Sequence, residues 1–439
     1  MTAWKSANTS ATKSTNTSAN PSDTAVFERY ESAIRGYCRA YPTVFSTAKN
    51  ARQTDEAGKS YIDFFAGAGV LNFGHNNERM KQALLDYIAS DGVIHSLDMY
   101  TTAKRKFIQA FVDTIMIPRK MDFRLQFMGP TGTNAVEAAL KLARKVTKRH
   151  SVIACTHGFH GMTLGALACT ANEYFRKAAG VPLEHVQRIP FETAPGGGID
   201  AINALRCAFA DPSTGMEAPA AVIIEPIQAE GGVHVASREW LLALQNFAHE
   251  RGALFIIDDI QAGCGRTGSY FSFDGFGLDP DIVCLAKGLG GYGTPLAMNM
   301  VKPEHDIWSP GEHTGTFRGQ DLSFVAGAEA LGYFTDDVLM AEVRRKGEIM
   351  AAHLHGLAKK HAKHEFPVRG KGMMQALDVG EGPRAKLIAQ LCFEHGLLIG
   401  PCGSGGRVLK LIPPLTIPDQ DLHDGLAIFS TAVNAGVDA

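Results

Sequence analysis

Four short apolar runs, VIACT (152–156), AAVIIEPI (220–227), ALFIIDDI (253–260) and DIVCLA (281–286), recur through the middle of the chain with helix-like stretches between them. Continuous apolar runs of this length suit strands covered on both faces, and their alternation with helices predicts a mainly parallel sheet. RLQFM (124–128) adds another short strand, and the stretch NAVEAALKLARKVTK (134–148) sets Val136, Leu140 and Ala143 on one helical stripe. The pattern changes towards both ends. ARQTDEAGKSYIDFFAG (51–67) flanks the turn signal DEAG with extended pieces, and VRGKGMMQALDV and GRVLKLIPPLTI near the C-terminus read as strands separated by helices. The expected organisation is α/β. A disordered arm, 1–22, of mostly Ser, Thr, Asn, Ala and Lys precedes a segment 23–75, a large central domain 76–325 and a C-terminal part 326–439. Both end segments together form one small α/β domain.

Charge and cysteine usage exclude several classes. With 43 Lys+Arg against 45 Asp+Glu the net charge is −2, which argues against nucleic acid or an anionic membrane as partner. No apolar run approaches the roughly 20 residues that span a bilayer. The 8 cysteines form no CxxC pair and sit mostly in apolar contexts, such as Cys284 in IVCLAK and Cys169 in ALACT. Reduced, buried thiols occur in such contexts. The opening residues have neither the apolar core of a secretory signal nor an Arg-rich transit peptide. A soluble cytoplasmic protein without a metal site is expected: His157 and His160 are spaced i, i+3, but no third ligand accompanies them.

Three segments carry chemistry. In FMGPTGTNAVEAALKLAR (127–144) a strand ends in a Gly-rich turn and a helix opens at Thr131, Gly132 and Thr133. Free amides and the positive end of the helix dipole suit a phosphate there, although a capped helix after a tight turn reads the same way. In LFIIDDIQAGCGRTG (254–268) two acids close an apolar strand, so Asp258 and Asp259 point to opposite faces and one is directed inward, or else caps the next turn. In PDIVCLAKGLGGYGTPLA (280–297) Lys287 follows an apolar strand. Partly buried, it would be an amine nucleophile of lowered pKa; extended to water, it would be an ordinary strand-end lysine. Taken together, an anion site, an inward acid and an inward lysine are the parts that hold pyridoxal phosphate, and no other common cofactor requires the combination. GCGRTG (263–268) reads as a demanding turn beneath that site, with Cys264 a packed thiol.

The chain from about residue 26 to 432 resembles the class III (ω) aminotransferases of the pyridoxal-phosphate fold-type I superfamily. Besides the three segments above, FHGMTLGAL (159–167), EPIQAEGG (225–232), HTGTFRGQDL (313–322), VRGKGM (368–373) and VLKLIPPLTI (408–417) occur in the family's order. The resemblance implies a mainly parallel seven-stranded sheet in the large domain. It implies that Thr131, Gly132 and Thr133 hold the phosphate, that Phe159 stacks on the ring with His160 beside it, and that Asp258 pairs with the ring nitrogen. Gln261 falls near the ring hydroxyl, Lys287 is the Schiff-base lysine that also moves the proton, and Thr316 reaches the phosphate of a neighbouring subunit. A homodimer or higher even oligomer with shared sites follows from that last residue.

Within the family, FERYESAIRGYCRAYPTVF (27–45), DFFAGAGVLNFGHNN (63–77), ASDGVIHSLDMYTTAKRKF (89–107) and GEHTGTFRGQ (311–320) resemble the diaminobutyrate–2-oxoglutarate aminotransferases of ectoine synthesis. The implied reaction moves the amino group of L-glutamate to L-aspartate 4-semialdehyde. Other ω-aminotransferase specificities (ornithine, γ-aminobutyrate) and a fold-type I aminomutase are the alternatives. The family's carboxylate-binding arginines are replaced here by Lys410 and Met162. The substrate carboxylate then falls to Lys410 or Arg318, with Glu230 as the acid towards which the cation at 410 swings; Lys410 could equally point to solvent. A lysine keeps the charge but loses the two-pronged fork of an arginine.

Overall fold

The computed structural model describes residues 24–438, and the arm expected at 1–22 lies outside the described residues. Seven strands form the central sheet: β1 (Arg124–Phe127), β2 (Val152–Cys155), β3 (Val186–Ile189), β4 (Ala221–Ile224), β5 (Leu254–Asp258), β6 (Ile282–Leu285) and β7 (Met298–Val301). Their spatial order is β1-β7-β6-β5-β4-β2-β3. β7 runs antiparallel to both neighbours and every other pairing is parallel. The sheet is therefore mainly parallel, as the apolar runs predict.

Burial on both faces explains those runs. Phe255 and Ile257 of β5 belong to one apolar cluster, with Trp240 and Phe247 of the helix Arg238–Glu250. Leu254 and Ile256 belong to another, with Val136, Leu140 and Ala143 of α1 (Gly132–Thr147). The alternation of successive side chains divides one strand between two cores, and each fully buried large apolar side chain stabilises the fold by roughly 1.5–3 kcal/mol. Helix Asp321–Leu331 packs Phe324 and Leu331 into the first cluster and runs unbroken through residue 325.

A smaller layer is built from both ends of the chain. β8 (Val368–Lys371), β9 (Met374–Asp378), β10 (Gly400–Cys402) and β11 (Val408–Leu411) make an antiparallel sheet in the order β8-β9-β11-β10. The N-terminal strands Phe45–Lys49, Arg52–Asp55 and Ser60–Asp63 join Leu397–Leu398 in a second four-stranded sheet. Ile62 and Phe64 from the N-terminal part share one core with Met350, Leu377, Leu409 and Phe429. Between the layers lies the GCGRTG turn. Its Arg266, fully buried, donates to the carbonyls of Met373 and Pro413 and to Asn72 Oδ1 at 2.6 Å. Among the described residues no helix is long and apolar enough to cross a membrane.

Candidate active site

The carboxyl ends of β1, β2, β4, β5 and β6 deliver the side chains of one cavity of about 250 Å³, where ligand sites of open α/β sheets lie. Gly132, Thr133, Phe159, His160, Glu225, Glu230, Asp258, Gln261 and Lys287 line it, with Met162 and Ile260.

Each strand continues its own parity into the site. Asp258 follows Leu254 and Ile256, while Asp259 follows Phe255 and Ile257, so the two acids part to opposite faces. The buried Asp258 Oδ2 accepts a 2.8 Å hydrogen bond from His160 Nδ1. Asp259 turns beneath the site, accepts from Ser272 N at 3.0 Å, and is pushed up to about 7 by burial. Lys287 follows β6 with φ +51°, a left-handed conformation that costs a residue with a side chain about 1 kcal/mol or more and is typical of functional positions. Among the described residues its amine has no hydrogen-bond partner; burial lowers its pKa to about 8 against the opposing pull of Glu230.

At the end of β1 the chain turns at Gly129, where Thr131 N donates to Gly129 O at 2.8 Å, and α1 begins at Gly132. The first amides of the helix have no partner within it. A Cβ at Gly132 would lie 3.0 Å from Ile260 Cδ1, so a larger residue there would have to displace the Ile260 side chain. The Thr133 and Thr163 hydroxyls are 2.7 Å apart, and Thr163 donates at 2.6 Å to Glu137 Oε1.

The opposite wall is an ion-paired group. Gln261 Nε2 donates to Ala68 O at 2.7 Å and Glu230 Oε1 at 3.0 Å. Lys410 on β11 pairs with Glu230 and donates to Gln261 Oε1 at 3.2 Å. Lys410 is 3% exposed, which corrects the solvent-pointing alternative: strand Val408–Leu411 is buried throughout, and among the described residues the ion-pair partner of Lys410 is Glu230. Burial would raise the Glu230 carboxyl, but Lys410 and Lys287 hold it down to about 2. Lys410 is raised: burial opposes its charge, and Glu230 outweighs that.

Four expected residues do not line the cavity of this chain; Lys410, paired with Glu230, is one, and the others are Thr131, Thr316 and Arg318. Thr131 is exposed at the helix start, Thr316 is exposed on the Thr316–Gly319 turn, and Arg318 donates to His313 O at 3.1 Å, 4.0 Å from Asp98. Sequence reasoning missed Glu225, which is wholly enclosed. It closes β4 as Asp258 closes β5, accepts from Phe159 N at 2.8 Å, and is pushed well up by burial and by the nearby Asp258 charge. An acid ending an apolar strand was the available signal. It also missed Tyr37, whose ring lies 5.0 Å from that of Phe65 and whose hydroxyl is raised by burial and by the Glu230 charge.

The residues fit a phosphorylated carbonyl cofactor: a helix N-terminus opened by glycine, an inward carboxylate held by a histidine, and an inward amine with no hydrogen-bond partner among the described residues. The chain matches the family described as aminotransferase class-III over residues 37–433. It is 48% identical to the diaminobutyrate–2-oxoglutarate transaminase of Halalkalibacterium halodurans, over 95% of this chain and 97% of that one. It is 50% identical to the protein of the same name from Nocardia farcinica, over 94% of each. Among solved structures it is similar to ornithine aminotransferase from Toxoplasma gondii, with TM-score 0.82, 27% identity and 94% of each chain covered; another structure of that enzyme has PLP at partial occupancy in its active site. Fold and cavity together define a pyridoxal-phosphate enzyme of fold type I. The chain belongs to the class III aminotransferases, and is a transaminase acting on small molecules with pyridoxal 5'-phosphate as cofactor.

Proposed function

We propose that the protein interconverts L-glutamate plus L-aspartate 4-semialdehyde with 2-oxoglutarate plus L-2,4-diaminobutyrate, in an ectoine-type pathway in the cytoplasm. The observation that carries this reading is the identity of 48–50% over nearly the whole chain with relatives named for that reaction.

When bound, pyridoxal phosphate supplies a carbonyl that takes up the amino group and a ring that accepts the electron pair left on the substrate carbon. Gly132 and Thr133, with Thr131, hold the phosphate at the helix N-terminus, where unpaired amides and the dipole favour negative charge. Phe159, its backbone amide held by Glu225, would pack against the ring. Asp258, oriented by His160, would supply the carboxylate for the ring nitrogen, and Gln261 would serve the ring hydroxyl. Lys287 Nζ is the attachment point and the base: held near pKa 8 by burial, it is partly neutral at working pH and can take a proton from the substrate carbon and return it.

The substrate carboxylate needs a cation. Lys410 is available only if Glu230 gives it up, so Glu230 and Lys410 form an exchangeable pair at the substrate end, with Arg318 as a second cation. Thr316 and Arg318 serve the neighbouring chain's site in a homodimer. That assembly is supported by the exposed apolar side chains of Ile94, Leu97, Met99, Tyr100 and Phe317 around the same segment.

The test is an assay of glutamate formed from 2-oxoglutarate with 2,4-diaminobutyrate, ornithine or γ-aminobutyrate as donor. The reading requires kcat/KM at least tenfold higher with 2,4-diaminobutyrate; preference for either other donor overturns the substrate and leaves the family intact.

A further inference from the structure

Behind the turn Ala229–Gly232 that carries Glu230 lies a second cavity, of about 540 Å³, that the transamination chemistry does not use. Its lining contains Arg369, Arg407, His157 and His234 and no acid. Among the described residues the one carboxylate that reaches these arginines is Asp378, at the end of β9, and both draw on the same oxygen. Arg369 Nη2 donates to Asp378 Oδ2 at 3.0 Å and Arg407 Nε lies 3.2 Å from it. Asp378 Oδ1 is taken by Gly380 N at 3.0 Å. Two guanidinium charges thus face a single negative charge, leaving an excess of one positive charge at the cavity wall.

The donors are only partly spent. Arg369 Nε donates to Gly232 O at 2.9 Å, which leaves its Nη1 without a partner among the described residues. Both terminal nitrogens of Arg407 are in the same condition, and its side chain is half exposed. The His157 ring has no hydrogen-bond partner among the described residues and lies 5.1 Å, centroid to centroid, from the ring of His234, which contacts Thr193 Oγ1 at 3.3 Å. Unused donors beside two imidazoles are suited to a small oxyanion: Arg407 can offer its two terminal nitrogens as a parallel fork, and Arg369 adds Nη1.

We infer that this cavity is an anion site for a small dianion of sulfate or phosphate size, held by Arg407 and Arg369 with His157 and His234. The surrounding charges give it a pH dependence. Burial and the two arginines keep His157 below its usual pKa; burial, Arg369 and His157 hold His234 down to about 4, against the opposite pull of Asp378. An anion seated between them opposes the arginines and favours the imidazolium forms, so binding takes up protons and strengthens as pH falls.

The experiment is calorimetric titration of the holoenzyme with sulfate, a dianion throughout the range, at constant ionic strength and at pH 5.5, 6.5 and 7.5. Using the holoenzyme keeps the cofactor's own phosphate loop filled. The inference predicts one sulfate per chain, affinity falling as pH rises, a loss of at least tenfold in Arg407→Gln, and a smaller loss in Arg407→Lys, which keeps the charge. Absence of saturable binding overturns it, and so does binding that Arg407→Gln leaves unchanged. An affinity independent of pH removes the histidines from the site.

Discussion

Lys287 concentrates what the chain commits to chemistry. It combines a left-handed backbone, an amine without a hydrogen-bond partner among the described residues and a pKa lowered from 10.5 to about 8. Burial disfavours the ammonium, so the proton leaves nearer neutrality and the free amine grows with pH from 6 to 9. The rate at which apo-protein takes up pyridoxal phosphate into its visible absorption band should therefore rise through about pH 8 and then level. A rate still climbing tenfold per unit above pH 9.5 would mean an ordinary solvated lysine. Replacing Lys287 by Met should reduce turnover by about 10³-fold or more, the scale of a lost general base and nucleophile. At this scale much was readable: the double acid ending an apolar strand already parts Asp258 from Asp259. Lys410 was not, because a lysine in VLKL says nothing about which sheet covers it, and its partner Glu230 lies far away in sequence. Glu225 was readable by the rule that found Asp258, since it too is an acid closing an apolar strand.

Among elements, the parallel strands separate stability from chemistry by their two ends. The carboxyl ends hold the cavity; at the amino end of β6, Asp281 accepts from Phe255 N at 2.8 Å, His249 Nε2 at 2.9 Å and His305 Nε2 at 3.2 Å, with Lys302 Nζ 3.1 Å away. Burial alone would raise this carboxyl, yet these partners hold it far below its usual 3.8. A depressed carboxylate stabilises the fold above the unfolded pKa and loses that contribution as pH falls towards the folded one. Asp281→Asn should lower the unfolding free energy at pH 7 by roughly 3 kcal/mol, a gap that narrows below about pH 4, while kcat and KM stay as they were. Urea midpoints and steady-state kinetics check both halves; a fall in kcat with unchanged midpoint would contradict the division. The strands themselves were legible because apolar runs covered on both faces need no alternation. The antiparallel β7 was not, since direction leaves no mark in a run such as MNMV.

For the whole molecule, apolar side chains gather at the surface around one segment. Tyr100 and Phe317 stand exposed beside Thr316 and Arg318, which do not reach their own cavity. In the proposed dimer a second copy would cover the apolar side chains and bring Thr316 and Arg318 to its own cavity, an expectation that rests on resemblance alone. Light scattering should give at least twice the mass of one chain, and the double change Tyr100→Asp with Phe317→Asp should shift the protein towards monomer with loss of activity. A monomer that keeps full activity would show that each site is complete within one chain.

We propose that Lys287, Asp258 and the loop opening helix α1 run amino transfer between 2,4-diaminobutyrate and 2-oxoglutarate. The most direct test follows the visible band of the holoprotein through two separated half-reactions. Adding 2,4-diaminobutyrate alone should bleach the band within seconds; 2-oxoglutarate, added after the first substrate is removed, should restore it with one glutamate formed per site, and Lys287→Met should do neither at a comparable rate. A band that ignores 2,4-diaminobutyrate, or returns without glutamate, would contradict the account.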